Sequence, residues 1–142
     1  MEVDETQVGM GELVQTALAA AENSYSPYSG FRVGSALLLT NGEVVSGANV
    51  ENVSYGLTIC AERSALVRAV AQFGPGIRIA AVAVVNLNDS ASPPCGACRQ
   101  MLAEFIEPEA LVSFPADRSG LIATIALPFR ELMPFAFDLK LR

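Results

Sequence analysis

One stretch of this sequence constrains the fold more than any other: residues 77–87 are almost continuously apolar. From Ile79 to Val85 only isoleucine, alanine and valine occur, without the alternating polar residues of a strand that has one face in water. A strand of this kind is buried on both faces by helices. The chain is therefore expected to form a sheet that lies between layers of helices.

The other predicted elements fit that arrangement. Periodic apolar residues and turn signals predict three helices, a short fourth helix and five strands. The helices are predicted at residues 11–23, 59–73, 96–105 and 127–132, and the strands at residues 31–40, 43–50, 77–87, 111–114 and 121–126. Asn41-Gly42 predicts a hairpin between the first two strands, because both residues tolerate positive φ. The order of elements predicts an α/β fold, a three-layer α/β/α sandwich with a mixed five-stranded sheet.

Length and composition indicate one domain. The chain has 142 residues, of which 51% are hydrophobic, and no linker or repeat divides it. We predict a single domain over residues 1–142, with a loose N-terminus at residues 1–8. No apolar run approaches the ~18 residues of a membrane span, and the acidic N-terminus lacks the parts of a secretory signal. A cytoplasmic protein with no membrane partner is expected.

The charge balance limits the partners. The formal net charge is −6, and the nine basic residues are scattered along the chain without a run. An acidic surface repels a phosphate backbone, so binding to long nucleic acid is disfavoured. A small neutral or weakly charged substrate fits this composition better.

Cysteine and histidine usage limits the chemistry. The chain has three cysteines, Cys60, Cys95 and Cys98, and no histidine. Three cysteines cannot all pair within one chain, and the missing histidine excludes triads of the Ser-His-Asp or Cys-His type. Each cysteine falls near the predicted start of a helix, where unpaired N–H groups favour a thiolate. Three thiolates leave the fourth position of a zinc ion open, so one catalytic Zn²⁺ per chain is predicted.

Charged residues beside the cysteines complete the predicted site. Glu62 follows Cys60 by two residues and is the candidate catalytic group for proton transfer at the open position. Three thiolates on Zn²⁺ sum to a charge of −1, which disfavours ionisation of a bound water. Arg63, and also Arg99, are the candidate donors to thiolate sulfur that would offset this charge.

Three other interpretations of the cysteines stay open at this point. A structural zinc site would need a fourth protein ligand, which a carboxylate can supply. A redox pair at Cys95 and Cys98 would leave Cys60 and Glu62 without a role. Three buried, unconnected cysteines would have no chemical role.

Several segments together resemble one family. Cys60-Ala61-Glu62 followed by a Pro-Cys-x-x-Cys motif is the signature of zinc deaminases, with cysteine in place of the histidine of many members. Residues 25–36 (YSPYSGFRVGSA), 49–56 (NVENVSYG) and 94–100 (PCGACRQ) are similar to the small cytidine deaminases of pyrimidine salvage. The resemblance covers about residues 10–137. It implies hydrolytic deamination of cytidine and deoxycytidine to uridine and deoxyuridine plus ammonia.

The resemblance also implies roles for single residues. Phe31 would pack on the pyrimidine ring, Asn49 and Glu51 would hold the ribose hydroxyls, and the Ala61 backbone would help to hold the pyrimidine carbonyl. Attack of zinc-activated water at C4 would be assisted by Glu62, which would transfer the proton to N3.

The small members of this family resemble homotetramers with shared active sites. By position, Tyr55 and Phe137 would reach the site of a neighbouring subunit, and Phe135 is an alternative to Phe137. Within the superfamily, enzymes that act on nucleic acid would need basic surfaces, and blasticidin-type deaminases share the zinc motif but are less favoured by Asn-Val-Glu-Asn. A zinc-binding regulator without activity should lack Glu62, which is present.

Overall fold

The computed structural model describes residues 5–137, and the side chains of residues 9–137. The helices are α1 (Glu5–Ala21), α2 (Ala61–Phe73), α3 (Gly96–Ala103) and α4 (Phe129–Leu132), with one 3₁₀ turn at Tyr55–Leu57. The strands are β1 (Val33–Leu39), β2 (Val44–Ala48), β3 (Ile79–Asn86), β4 (Ile106–Arg118) and β5 (Leu121–Pro128). No helix of the described part is long and apolar enough to cross a membrane.

The five strands form one mixed sheet in the order β2-β1-β3-β4-β5. The β3–β4 pair is parallel and the other neighbouring pairs are antiparallel. The predicted hairpin joins β1 and β2, and of Asn41-Gly42 only the glycine takes a positive φ, 91°. The predicted α/β class and the mixed five-stranded sheet are therefore confirmed.

Helices cover the sheet on both faces, as the apolar β3 strand predicted. One buried cluster joins α1 to the sheet and includes Leu13, Ala17 and Ala83. A second, larger cluster joins the opposite face to α2, α3 and α4, and includes Leu66, Leu102 and Phe129 among others. These layers give the three-layer α/β/α sandwich.

Two elements differ from their predicted bounds by more than a few residues. Helix α1 begins at Glu5 rather than near residue 11, so residues 5–8, expected to be loose, are helical; residues 1–4 lie outside the described residues. Strand β4 is 13 residues long, whereas a strand was predicted only at 111–114. Pro108 lies within this strand at the place where the β3–β4 register shifts, so its missing N–H interrupts no regular ladder.

The topology brings two helix starts to one edge of the sheet. Because β1 is antiparallel to both β2 and β3, those two strands run in the same direction. The chain leaves the carboxyl ends of β2 and β3 at one edge, and α2 and α3 begin after those ends. Crevices at the carboxyl ends of such strands are where α/β folds place their sites.

Candidate metal centre

The three cysteines meet where α2 and α3 begin. Cys60 is the N-cap residue of α2 and Cys95 is the N-cap residue of α3, with Cys98 in the first turn. The Sγ atoms of Cys60 and Cys95 are 3.9 Å apart, and those of Cys95 and Cys98 are 3.3 Å apart. All three Sγ atoms lie within 4.8 Å of one another. The predicted convergence of the three sulfurs is therefore present.

This donor set fits a zinc ion. Zn–S bonds of about 2.3 Å in a tetrahedron place sulfur atoms roughly 3.8 Å apart, close to the observed separations. Cys60, Cys95 and Cys98 are free of disulfides. Three thiolates fill three positions of the tetrahedron and leave the fourth for a ligand from solution, the arrangement of a catalytic zinc site.

The surroundings of the three cysteines favour negative charge on sulfur, which favours binding of a cation. Interaction with the neighbouring Cys98 thiol lowers the pKa of Cys60 to about 5, and the same pairing, together with burial, raises the pKa of Cys98. The backbone N–H of Cys98 also points at the Cys95 sulfur, 3.5 Å away. A helix N-terminus favours negative charge, so sulfur atoms that lie this close together at two helix starts are suited to bind one metal cation.

Of the two arginines predicted to contact sulfur, only Arg63 does so in the described structure. Its Nη2 lies 3.6 Å from the Cys60 Sγ and 3.3 Å from the Thr58 carbonyl oxygen. The Arg99 guanidinium instead donates to the carbonyl oxygens of Pro94, at 2.8 Å, and Leu132, at 3.0 Å. The expected contact of Arg99 with a thiolate is therefore replaced by contacts that tie α3 to α4.

Glu62 is buried beside the sulfur cluster. It lies in the first turn of α2 and is 5% exposed. Burial, reinforced by the nearby Cys60 charge, raises the pKa of the Glu62 carboxyl to about 7. A buried carboxyl that lies next to a metal site, and is not itself a metal ligand, is suited to transfer protons there.

A cavity of about 390 Å³ opens onto this cluster. Its apolar lining includes Phe31, and Cys60, Cys95 and Glu62 lie in its wall. Asn49, Glu51 and Ala61, predicted to contact substrate, also line it, together with Thr58, Val33, Val84, Ala91, Ser92 and Pro93. The volume is within the range of small-molecule sites. The structure thus brings four predicted substrate residues, Glu62 and the sulfur atoms into one space.

Asn49 holds the backbone around Phe31. Its side chain is nearly buried and donates from Nδ2 to the Phe31 carbonyl oxygen at 2.8 Å. Its Oδ1 accepts from the Val33 N–H at 3.0 Å and from the Ser24 hydroxyl. The amide therefore aligns the segment that carries the aromatic ring, and it also borders the cavity.

The Glu51 carboxylate is held by hydrogen bonds from residues just before Phe31. One carboxylate oxygen accepts from the backbone N–H groups of Tyr28, at 3.0 Å, and Ser29, at 3.1 Å, and the other accepts from the Ser29 hydroxyl. The hydrogen bond from that hydroxyl is the main reason that the pKa of Glu51 lies below its ordinary value. Glu51 is thus held as an anion at the edge of the cavity.

Tyr55 and the tail aromatics lie outside this cavity. Tyr55 is 75% exposed and lines an adjoining groove of about 420 Å³ with Tyr28, whose ring centroid is 6.2 Å away. Phe135 is 96% exposed, and Phe137 is held along α3 by a hydrogen bond from Gln100 to its carbonyl oxygen. These three aromatic residues are not among those that line the cavity.

Sequence reasoning missed several residues of the cavity wall. Val84, Ala91 and Ser92 belong to no motif that indicates a site, and Thr58, which begins the Cys60 segment, had no predicted role. Val84 lies on the apolar β3 strand, and its composition gives no sign that it borders a cavity. The nearest available signal was position, because residues 91–93 directly precede the second cysteine motif.

Fold and site together define the class: the chain is an α/β/α zinc-binding domain with three thiolate ligands and a buried carboxyl at two helix starts. Residues 10–113 match the model of the cytidine and deoxycytidylate deaminase zinc-binding region. The chain belongs to the cytidine and deoxycytidylate deaminase family.

Individual relatives agree with this assignment. A cytidine deaminase of Halalkalibacterium halodurans is 46% identical over 126 residues, 88% of this chain and 91% of the relative. One of Mycobacterium tuberculosis is 46% identical over 123 residues, 87% of this chain and 85% of the relative. The crystal structure of cytidine deaminase from M. tuberculosis superposes with a TM-score of 0.76 at 39% identity, covering 97% of this chain and all of that one. That from Burkholderia pseudomallei has a TM-score of 0.77 at 43% identity, covering 89% and 98%.

Proposed function

We propose that this chain catalyses the zinc-dependent hydrolytic deamination of cytidine and deoxycytidine, giving uridine or deoxyuridine and ammonia, in pyrimidine salvage. The observation that carries the proposal is one cavity that is lined by Phe31, by a buried carboxyl, Glu62, and by cysteines of the sulfur cluster. The relatives named cytidine deaminase at 46% identity support the same substrate class.

Cys60, Cys95 and Cys98 are the proposed ligands of one zinc ion per chain. When bound, zinc supplies Lewis-acid chemistry that activates water at neutral pH. Arg63 donates toward the Cys60 sulfur and offsets the negative charge of three thiolates. Helix N-termini at α2 and α3 act in the same direction.

Glu62 is the proposed proton carrier. Its carboxylate accepts a proton from the attacking water and delivers it to N3 of the pyrimidine. It then accepts the second proton from the hydroxyl group now on C4 and transfers it to the amino group. The C4–N bond breaks, ammonia leaves and the C4 carbonyl of the product forms. Because this carboxyl is buried, it exchanges protons with the attacking water molecule, N3 and the leaving amino group rather than with bulk solvent.

The remaining cavity residues position the nucleoside. Phe31 packs on the pyrimidine ring. The Ala61 backbone, at the N-terminus of α2, holds the carbonyl oxygen of the pyrimidine. Asn49 and Glu51 hold the ribose hydroxyls. Both side chains are already fixed by the segment around Phe31, so sugar and base contacts are preorganised together.

A homotetramer with shared sites completes the proposal. Tyr55, Phe135 and Phe137 are strongly exposed apolar rings that do not contribute to the cavity of their own subunit. Exposed aromatic groups of this kind are typical anchors of interfaces. Tyr55 and Phe137, with Phe135 as the alternative to Phe137, are proposed to reach the site of a neighbouring subunit.

The chain is proposed to work as one domain in a reducing compartment, the cytoplasm. The described residues form one sheet with two covering layers, and the three zinc-ligating thiols need a reducing environment to stay free. The net charge of −6 supports a nucleoside as substrate, without nucleic acid or membrane partners.

The test is an absorbance assay of cytidine and deoxycytidine with ammonia measured in parallel. We expect one ammonia per nucleoside converted. A single-stranded oligonucleotide that contains cytosine serves as the comparison substrate, and it should not be deaminated. Conversion of the oligonucleotide but not of the nucleosides would overturn the proposed substrate class.

A further inference from the structure

Two asparagines outside the cavity connect two of its walls. Asn86, at the end of β3, donates from Nδ2 to the Ser90 carbonyl oxygen at 2.8 Å and to the Ser92 Oγ at 2.9 Å. Its Oδ1 accepts from the backbone N–H groups of Asn88, at 3.0 Å, and Ser90, at 3.2 Å. The amide thus donates two hydrogen bonds and accepts two, which is its full capacity. These bonds close the loop that follows β3. The loop so closed includes Ser92, a cavity-lining residue.

Asn88 extends from that loop to the opposite wall. Its Oδ1 accepts from the Arg32 N–H at 2.9 Å, and its Nδ2 donates to the Gly30 carbonyl oxygen at 2.9 Å. These two partners are the residues directly before and after Phe31. One side chain therefore fixes the backbone on both sides of the aromatic residue, across more than 50 positions of sequence.

We propose that Asn88 is a positioning residue, which acts through Phe31 to set the aromatic ring against the substrate base, and that Asn86 anchors Asn88 for this task. The inference rests on the proposed function, in which Phe31 packs on the pyrimidine. Asn88 itself does not line the cavity, so its effect on substrate is indirect.

The surrounding contacts make this role separable from folding. The backbone N–H of Phe31 is held by the Ser29 Oγ at 2.9 Å, and its carbonyl oxygen by Asn49. Asn88 is exposed, and its loss leaves those bonds and the sheet in place. Removal of Asn88 is therefore expected to loosen the direction of the ring rather than unfold the chain.

The first experiment measures cytidine kinetics of Asn88→Ala. Loss of two hydrogen bonds that act on one ring should raise KM about tenfold. Because the metal centre and Glu62 are untouched, kcat should stay within about twofold and zinc content should be unchanged. The matched control is Asn41→Ala, whose side chain also accepts a backbone N–H, that of Glu43 at 2.9 Å, in the β1–β2 turn.

The second experiment is a double-mutant cycle with Phe31→Leu. If Asn88 acts through the ring, Asn88→Ala should change KM by less than about twofold in the Phe31→Leu background. The inference is overturned if the two changes in KM multiply, if Asn88→Ala leaves KM unchanged, or if Asn41→Ala raises KM equally. A lack of cytidine turnover in the unsubstituted, zinc-loaded chain would overturn the proposed function instead.

Discussion

The two faces of the sheet are built in different ways. On the α1 face the buried cluster consists mainly of alanines, including Ala17 and Ala83, so the helix backbone lies close to the strands. On the opposite face the buried cluster also includes larger side chains, such as Leu66 of α2 and Leu102 of α3. All proposed zinc ligands and Glu62 belong to that second face, at its helix starts. The α1 face contributes none of these groups, whereas the other face sets the distances between them.

Each face has one glycine at which strand and helix make their nearest approach. A Cβ at Gly34 would lie 2.0 Å from the Ala17 carbonyl oxygen of α1, and a Cβ at Gly47 would lie 2.5 Å from the Ala65 nitrogen of α2. Neither position has room for a side chain while the backbones stay in place. The same change, glycine to alanine, can therefore be made on each face of the sheet. We expect its effect on the metal site to differ between the two faces.

The largest difference between the faces is expected for a carboxyl change. Glu62→Gln should lower kcat by on the order of 10⁴-fold or more, because the proton carrier is lost, while zinc content and folding persist. The matched control on the α1 face is Glu12→Gln, an exposed residue that should keep full activity. Steady-state kinetics with zinc analysis measure both; near-normal turnover of the Glu62 variant removes this residue from the mechanism.

A smaller difference is expected for two arginines of the same helix. Arg63→Ala removes the donor to the Cys60 sulfur and should weaken zinc binding by about 10- to 100-fold. Arg68→Ala removes only a hydrogen bond to the Ser46 carbonyl oxygen and should leave zinc binding unchanged. Competition with a chromophoric chelator measures both affinities. Equal affinities of the two variants would show that Arg63 does not offset the thiolate charge.

The two glycines test the comparison directly. Gly34→Ala and Gly47→Ala should each lower the free energy of unfolding by about 2 kcal/mol through overpacking. Only Gly47→Ala should also change the charge-transfer spectrum of the Co²⁺-substituted protein, because α2, unlike α1, carries a proposed metal ligand at its N-terminus. Chemical unfolding and absorption spectroscopy report the two effects. A changed cobalt spectrum in Gly34→Ala would mean that the faces are not independent.

The smallest effect is expected for an ion pair on the site-bearing face but outside the cavity. Arg130 Nε and Glu109 Oε1 are 2.7 Å apart, and both side chains are more than half exposed. Arg130→Ala should cost less than about 1 kcal/mol of stability, because water and salt screen such pairs. Activity should be unchanged. A clear loss of turnover would extend the functional part of this face to α4.

Much of the site could be predicted from the sequence because it depends on local patterns. Cys95 and Cys98 come together at the start of α3 through their spacing alone, and Glu62 follows Cys60 at the start of α2. The helix–sheet–helix layering followed from the apolar β3 strand. Sequence spacing did not reveal where the Arg99 guanidinium points, because its partner Leu132 lies 33 positions away.

The asparagine contacts were beyond sequence reasoning for a related physical reason. Asn88 binds backbone groups of Gly30 and Arg32, and any residue type supplies such groups. No pattern of side chains therefore marks the pairing. Only the register of β1 against β3, which places these segments side by side, determines it. The early start of α1 was missed because residues 5–10 lack a clear apolar stripe.

The central claim is that the helix starts of α2 and α3 form one zinc-dependent deamination site. The most direct measurement is a zinc titration of the metal-free chain, in which cytidine turnover and bound zinc are recorded on the same sample. Turnover should be absent without zinc, rise linearly and saturate at one zinc per chain, as the single three-cysteine cluster among the described residues predicts. Full zinc occupancy without release of ammonia from cytidine would contradict the account.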